Sequence, residues 1–194
     1  MEKVLVFLAD GCEEVEALTV VDYLRRADIK VDTASIKDDL NVCGSHDIII
    51  KADKRIDEIN NDEYSAIYIP GGTKAAERLR DDDRVIEVVK NFENTGKIIS
   101  AICAGPIVLD RAGVLKNKKC VSFPSIEDEL KDIGEYKKDE LVVEDGNVLT
   151  SRGAATTIYL ALKLVEKIKG EEAKENLKPT IQQNFVEKYF EFKY

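Results

Sequence analysis

The 194-residue chain has no tryptophan, one histidine, one methionine and four prolines. A core without tryptophan and with only 7% aromatics must be built from Val, Ile, Leu and Ala. The chain also lacks an excess of positive charge, with 29 Lys and Arg against 38 Asp and Glu. Its formal net charge of -9 leaves no general basic footprint for nucleic acid or an anionic membrane surface. No apolar stretch approaches the roughly 20 residues a membrane helix needs. The opening MEKVLVFLADG is a short apolar run flanked by acids, which reads as a first strand and not as a signal peptide.

Cysteines are few and scattered. Cys12, Cys43, Cys103 and Cys120 form no CxxC pair, and His46 is the single histidine. A zinc site is therefore not expected. With no secretory signal, reduced thiols and a cytoplasmic location are expected. No GxGxxG or Walker A pattern occurs, so a nucleotide phosphate site is unsupported.

What is present is alternation. Strand patterns at Lys3–Ala9, Lys30–Ser35, Ala66–Ile69 and Lys97–Ile102 are separated by helical patterns at Glu13–Arg26, Lys74–Arg80 and Asp83–Asn94. Such βαβ order implies a mostly parallel sheet covered on both faces. A short strand at Asp47–Ile50 pairs near Val42. Helix is expected over Ala104–Ala112, a strand over Cys120–Phe123, helix over Ile126–Ile133, and a hairpin around Asp145-Gly146. Helices over Ala154–Lys169 and Thr180–Phe190 follow, with EEAKENLK between them read as a solvated, charged surface helix. No linker or repeat divides residues 1–194, which read as a single domain.

In parallel sheets ligands bind beyond the carboxyl ends of the strands. Four such ends stand out: Asp10-Gly11-Cys12, Pro70-Gly71-Gly72, Ile102-Cys103-Ala104 and Ser151-Arg152-Gly153. Cys103 sits between a strand and a helix with small neighbours Ala101, Ala104 and Gly105. That is the setting of a nucleophile on a sharp turn, and equally of a small apolar filler. As a nucleophile, its thiol would be acidified by the following helix N-terminus. Of the acids Glu13, Glu14 and Glu16, at least two read as helix N-terminal decoration. Glu13 and Glu16 both have apolar residues on their helical faces, and periodicity does not choose between them. Either, buried and protonated, could hydrogen-bond a thiolate. Gly71 and Gly72 free the backbone to aim N–H groups at an oxyanion, or simply make a turn. His46 reads as a surface residue.

Together the segments KVLVFLADGCEEVEAL, DYLRRADIKV, IYIPGG, SAICAGP and LTSRGAAT resemble the DJ-1/ThiJ/PfpI superfamily, and its DJ-1 branch most. The resemblance covers most of the chain and is weakest in the helical tail from about residue 177. It implies a flavodoxin-like three-layer α/β sandwich and a homodimer. It assigns the elbow nucleophile to Cys103 and its carboxyl partner to Glu16. It places the oxyanion-type backbone at Gly71, Gly72 and Ala104, and keeps His46 and Arg152 as further pocket candidates, His46 near the dimer contact. It implies cofactor-independent, metal-free glyoxalase or deglycase chemistry on small 2-oxoaldehydes. Redox sensing through oxidation of Cys103, or a chaperone-like stress role, is the alternative. Many members carry a histidine where CVSFP has Phe123, so no Cys-His dyad is evident and a peptidase is disfavoured.

Overall fold

The computed structural model describes residues 2–194. In chain order the elements are β1 (Lys3–Leu8), α1 (Glu14–Arg26), β2 (Lys30–Ser35), β3 (Asn41–Cys43), β4 (Ile49–Lys51), β5 (Lys54–Arg55) and β6 (Ala66–Ile69). Then come α2 (Thr73–Asp81), α3 (Asp83–Asn94), β7 (Ile98–Ile102), α4 (Pro106–Arg111), β8 (Lys119–Cys120) and β9 (Glu135–Tyr136). The chain closes with β10 (Val142–Asp145), β11 (Val148–Ser151), α5 (Thr157–Lys169), α6 (Glu171–Thr180) and α7 (Gln183–Tyr189).

Seven strands form one sheet in the order β10-β11-β7-β6-β1-β2-β5. All neighbours are parallel except the β10–β11 hairpin. Every side chain of β6, and all but Lys3 of β1, is buried. Continuous apolar strands of this kind follow from a sheet covered on both faces. Helix α1 packs against α5 and α6, while α2, α3 and α4 pack together. The result is the expected flavodoxin-like α/β sandwich.

The four strand ends singled out in the sequence do share one edge, because β1, β6, β7 and β11 run in the same direction. The hairpin of β3 and β4 stands off this sheet as a separate antiparallel pair (Val42 opposite Ile50) and overhangs that edge. Its loop is tied to the end of β1: Gly11 N–H donates to the Cys43 carbonyl at 2.7 Å, and Ser45 N–H to the Cys12 carbonyl at 2.8 Å.

Beyond shifts of a few residues at helix ends, three regions differ from the sequence expectation. Only Lys119–Cys120 is strand where Cys120–Phe123 was expected, because Phe123 N–H turns away to bond the Cys103 carbonyl at 2.9 Å. The expected helix over Ile126–Ile133 is a 3-10 turn at Pro124–Glu129, since Pro at its start and a fully extended Leu130 confine it. Helix α6 is not a solvated charged face. Lys174 and Lys178 are buried, Lys178 paired with Glu175 at 2.9 Å and Glu187 at 3.1 Å. Charged residues can enter an interior when their partners come from the next helix.

Candidate active site

Cys103 follows β7 directly and adopts φ 61, a left-handed conformation rare for a residue with a side chain. Its backbone is held on both sides. Its N–H donates to the Ser151 carbonyl at 3.0 Å, and its own carbonyl accepts from Phe123. The strained turn lifts the thiol off the sheet edge. Gly105 is needed beside it, because a Cβ there would stand 2.7 Å from the Ile69 carbonyl oxygen.

Glu16 meets this thiol from α1. It is 1% exposed, its Oε2 accepts from Gly71 N–H at 2.8 Å, and a Cβ on Gly71 would touch both that oxygen (2.4 Å) and the Cys103 sulfur (3.0 Å). The Tyr68 hydroxyl donates to the Glu16 carbonyl at 3.0 Å and anchors that turn of the helix to β6. Of the two acids that periodicity left open, Glu16 is therefore the one beside the cysteine. Glu13 lies at the cavity mouth.

Gly71 and Gly72 have separate jobs. A Cβ on Gly71 would lie 2.4 Å from Glu16 Oε2 and 2.5 Å from Cys103 Cβ, so glycine makes room for the pair. The Gly71 N–H is taken by Glu16, which corrects its expected place as an oxyanion donor. The remaining donors are the Gly72 and Ala104 amides, which favour the thiolate of Cys103. Gly72 has φ 90, and a Cβ there would stand 2.1 Å from the Gly11 carbonyl oxygen.

The electrostatics also differ from expectation. Burial, then the Glu16 charge, push the Cys103 thiol up to about 12, against the pull of the two amides. Helix α4 does not offset this, since it begins only at Pro106 and has six residues. Burial likewise raises the Glu16 carboxyl to about 7, against the hydrogen bonds from Cys103 and Gly71. Two acids share one buried niche, and each resists ionising while the other is charged.

A cavity of about 310 Å³ opens over the thiol, with Gly72, Ala104, Phe123, Glu13 and His46 among its walls. His46 thus does reach the cysteine pocket, from the β3–β4 loop instead of the segment after the elbow helix. Its Nδ1 lies 2.8 Å from Glu14 Oε2, and its backbone N–H donates to Glu14 Oε1 at 2.7 Å. Arg152 does not join them: its guanidinium bonds the Lys138 carbonyl, and it is not on the cavity wall.

Glu14 is the residue that sequence reasoning missed. It is 4% exposed and ionised, because hydrogen bonds from His46 and Ser45 outweigh burial and hold its carboxyl at about 2. The signal was available, since Ala17 and Val21 follow at i+3 and i+7 on the buried face. Glu13, Glu14 and His46 bring possible metal donors within 4.8 Å of one another. These atoms already bond each other, and the cluster reads as an ion pair. A larger hollow of about 720 Å³ lies at the opposite sheet edge, but its Lys3 is paired with Asp32 and Glu63.

Fold and site together define an α/β protein with a cysteine on a strained elbow and a buried glutamate as its partner. The sequence pattern of the DJ-1/PfpI family matches residues 2–167, and the chain belongs to that family. It is 37% identical over 168 residues to protein dj-1beta of Drosophila melanogaster, covering 87% of this chain and 90% of that one. The crystal structure of the fly protein superposes with a TM-score of 0.90 at 34% identity, over 93% of this chain and 97% of that one. An archaeal relative from Pyrococcus abyssi named a deglycase is 35% identical over 150 residues, 77% of this chain and 89% of its own. A Toxoplasma gondii DJ-1 structure described as oxidized is similar with a TM-score of 0.87 at 36% identity, covering 94% and 98%.

Proposed function

We propose that the protein is a cysteine-dependent enzyme of glyoxalase or deglycase type, acting on small 2-oxoaldehydes such as methylglyoxal. The observation that carries this reading is the contact of Cys103 with Glu16 under two free amides in one small cavity. Above about pH 7 the pair holds a single proton, which rests mainly on the sulfur (thiol about 12, carboxyl about 7) and moves to Glu16 as the sulfur attacks. With that proton on Glu16, its charge no longer opposes the thiolate, and the carboxyl becomes a donor to sulfur.

The thiolate adds to the aldehyde carbon, and the C–O electron pair takes the Glu16 proton. A hemithioacetal results, its oxygen beside the Gly72 and Ala104 amides. The freed Glu16 carboxylate then removes the hydrogen on C1 and returns it to C2. The product is a 2-hydroxyacyl thioester, which water cleaves to the hydroxy acid and the thiol. Atoms balance with water as the only co-reactant. The name of the archaeal deglycase supports the substrate class.

The test is methylglyoxal turnover with Cys103→Ser and Cys103→Ala. The reading expects both to fall to background, and undiminished turnover in either one overturns it.

A second reading, redox sensing, is favoured by one observation. A neutral Glu16 carboxyl beside sulfur can hydrogen-bond a sulfinate oxygen and halt oxidation there. Mass spectrometry after mild peroxide should then find sulfinate on Cys103 and not on Cys12 or Cys120, both of which are buried. Equal oxidation of all four thiols sinks it. We also propose self-association through the exposed Val15 and Leu18 of α1 and Ile48 and Ile49 of the neighbouring hairpin.

A further inference from the structure

The cavity has a second acid–base group besides Glu16. Phe123 cannot transfer a proton, and among the described residues Glu13 is the one acid that lines the cavity. His46 can, and it is built to do so. The buried Glu14 carboxylate grips both its ring Nδ1 (2.8 Å) and its backbone N–H (2.7 Å). The Ser45 hydroxyl bridges to Glu13 Oε2 at 3.0 Å and Glu14 Oε2 at 3.1 Å. The loop is shaped around this carboxylate: a Cβ on Gly44 would lie 2.1 Å from Glu14 Oε1. With Nδ1 occupied, Nε2 is the one ring nitrogen left for a guest in the cavity. A carboxylate on one nitrogen fixes the tautomer and stabilises the imidazolium, as in hydrolase triads.

We propose that the Glu14–His46 pair is the second proton-transfer site of the Cys103 pocket, with His46 as the acid–base group and Glu14 as its positioning residue. It serves the C2 oxygen of the substrate. This rests on the 2-oxoaldehyde reading above, which leaves that oxygen unserved. When Glu16 removes the C1 hydrogen of the hemithioacetal, the C1 electron pair forms a C1–C2 double bond. The C2 carbonyl pair becomes an O–H bond by taking the Nε2 proton, giving an enediol. Glu16 then returns its proton to C2. The O–H proton on C1 passes to Nε2, and the thioester forms with both groups reset. The groups facing His46 are Glu14 and Glu13 from the start of α1 and Asp47 from its own loop. All of them raise its proton affinity, Glu14 most. The imidazolium needed for the first transfer is thereby stabilised.

The experiment is the pH profile of methylglyoxal turnover for wild type, His46→Ala and Glu14→Gln, with imidazole added to His46→Ala. General acid–base groups contribute about 100- to 10,000-fold, so His46→Ala should lose at least about tenfold in kcat near pH 7. It should also lose the alkaline limb. Added imidazole should restore part of the rate, which a merely structural role for His46 does not allow. Glu14→Gln should move the limb to lower pH. A wild type without turnover refutes the 2-oxoaldehyde reading and this inference with it. An active wild type matched by His46→Ala in rate and limb overturns the inference alone, as does a slow His46→Ala that imidazole leaves unchanged.

Discussion

Glu16 combines a catalytic assignment with a stability cost. Its carboxyl has an ordinary value of 4.5 and is raised to about 7 in the folded chain, chiefly by burial. Between those values the native state holds a proton that the unfolded chain has released. Stability attributable to this group is therefore full below about 4.5 and lost as pH climbs through about 7. Above that, a buried carboxylate remains, at a cost on the order of 3 kcal/mol. Glu16→Gln keeps an acceptor for Gly71 N–H and removes the charge. It should lower methylglyoxal turnover by about 100-fold or more. It should also be more stable than wild type at pH 8, by urea denaturation, with the difference vanishing near pH 4. A variant less stable than wild type at both pH values contradicts the raised carboxyl. Cys103 stood out because glycine and alanine punctuate it, whereas periodicity left Glu13 and Glu16 open and only the family resemblance pointed to Glu16. The exact partner of each backbone N–H was not legible in the sequence, since the Gly71 amide is claimed by a residue 55 positions away.

At the scale of elements, the strands were the easiest to read. A parallel sheet buried on both faces leaves continuous apolar runs, and β2 and β6 carry the bounds expected from the sequence. Segments whose shape is set by distant backbone were harder. Residues 121–123 are drawn to the elbow by the Phe123–Cys103 bond, and 154–156 form a 3-10 turn before α5 begins. The turn after β6 is the element on which the site depends most. Gly71→Ala would press a methyl carbon to within 2.4 Å of Glu16 Oε2, on a buried side chain, and 2.5 Å of Cys103 Cβ, on a half-buried one held by its strained backbone. Overpacking of this kind typically costs about 1–3 kcal/mol. Thermal unfolding should show that loss, and methylglyoxal turnover should fall at least about tenfold, because displacing reacting groups by an ångström costs on the order of 100-fold. A variant with wild-type turnover refutes the close approach.

Over the whole molecule, two surfaces distinguish the chain from a bare sandwich. One is the tail, where α6 and α7 close on Lys178. This lysine is 1% exposed and bonds Glu175, Glu187 and the Tyr194 carbonyl. Removing one partner of a buried pair typically costs about 3–5 kcal/mol because the other charge is stranded. Lys178→Ala should therefore lower stability far more than Lys188→Ala, whose side chain lies on exposed α7 surface. Equal losses would show that the tail is not latched there.

The other surface is the proposed contact between copies. Val15 is 53% exposed, Leu18 42%, Ile48 53% and Ile49 60%. The two segments that carry them are joined through Glu14 and His46. A stable contact between proteins buries roughly 1,200–2,000 Å² in total with an apolar centre. A two-fold arrangement would bring the same four residues in from each copy. Sedimentation velocity should find wild type as a dimer at micromolar concentration. Leu18→Glu with Ile49→Lys should sediment as a monomer with unchanged far-UV circular dichroism. Gly72, Ala104 and Phe123 line the thiol's cavity from the same chain as Cys103, and the monomeric variant should keep its Cys103 reactive toward iodoacetamide. A wild type that remains monomeric, or a double variant that still dimerises, removes this surface as the contact.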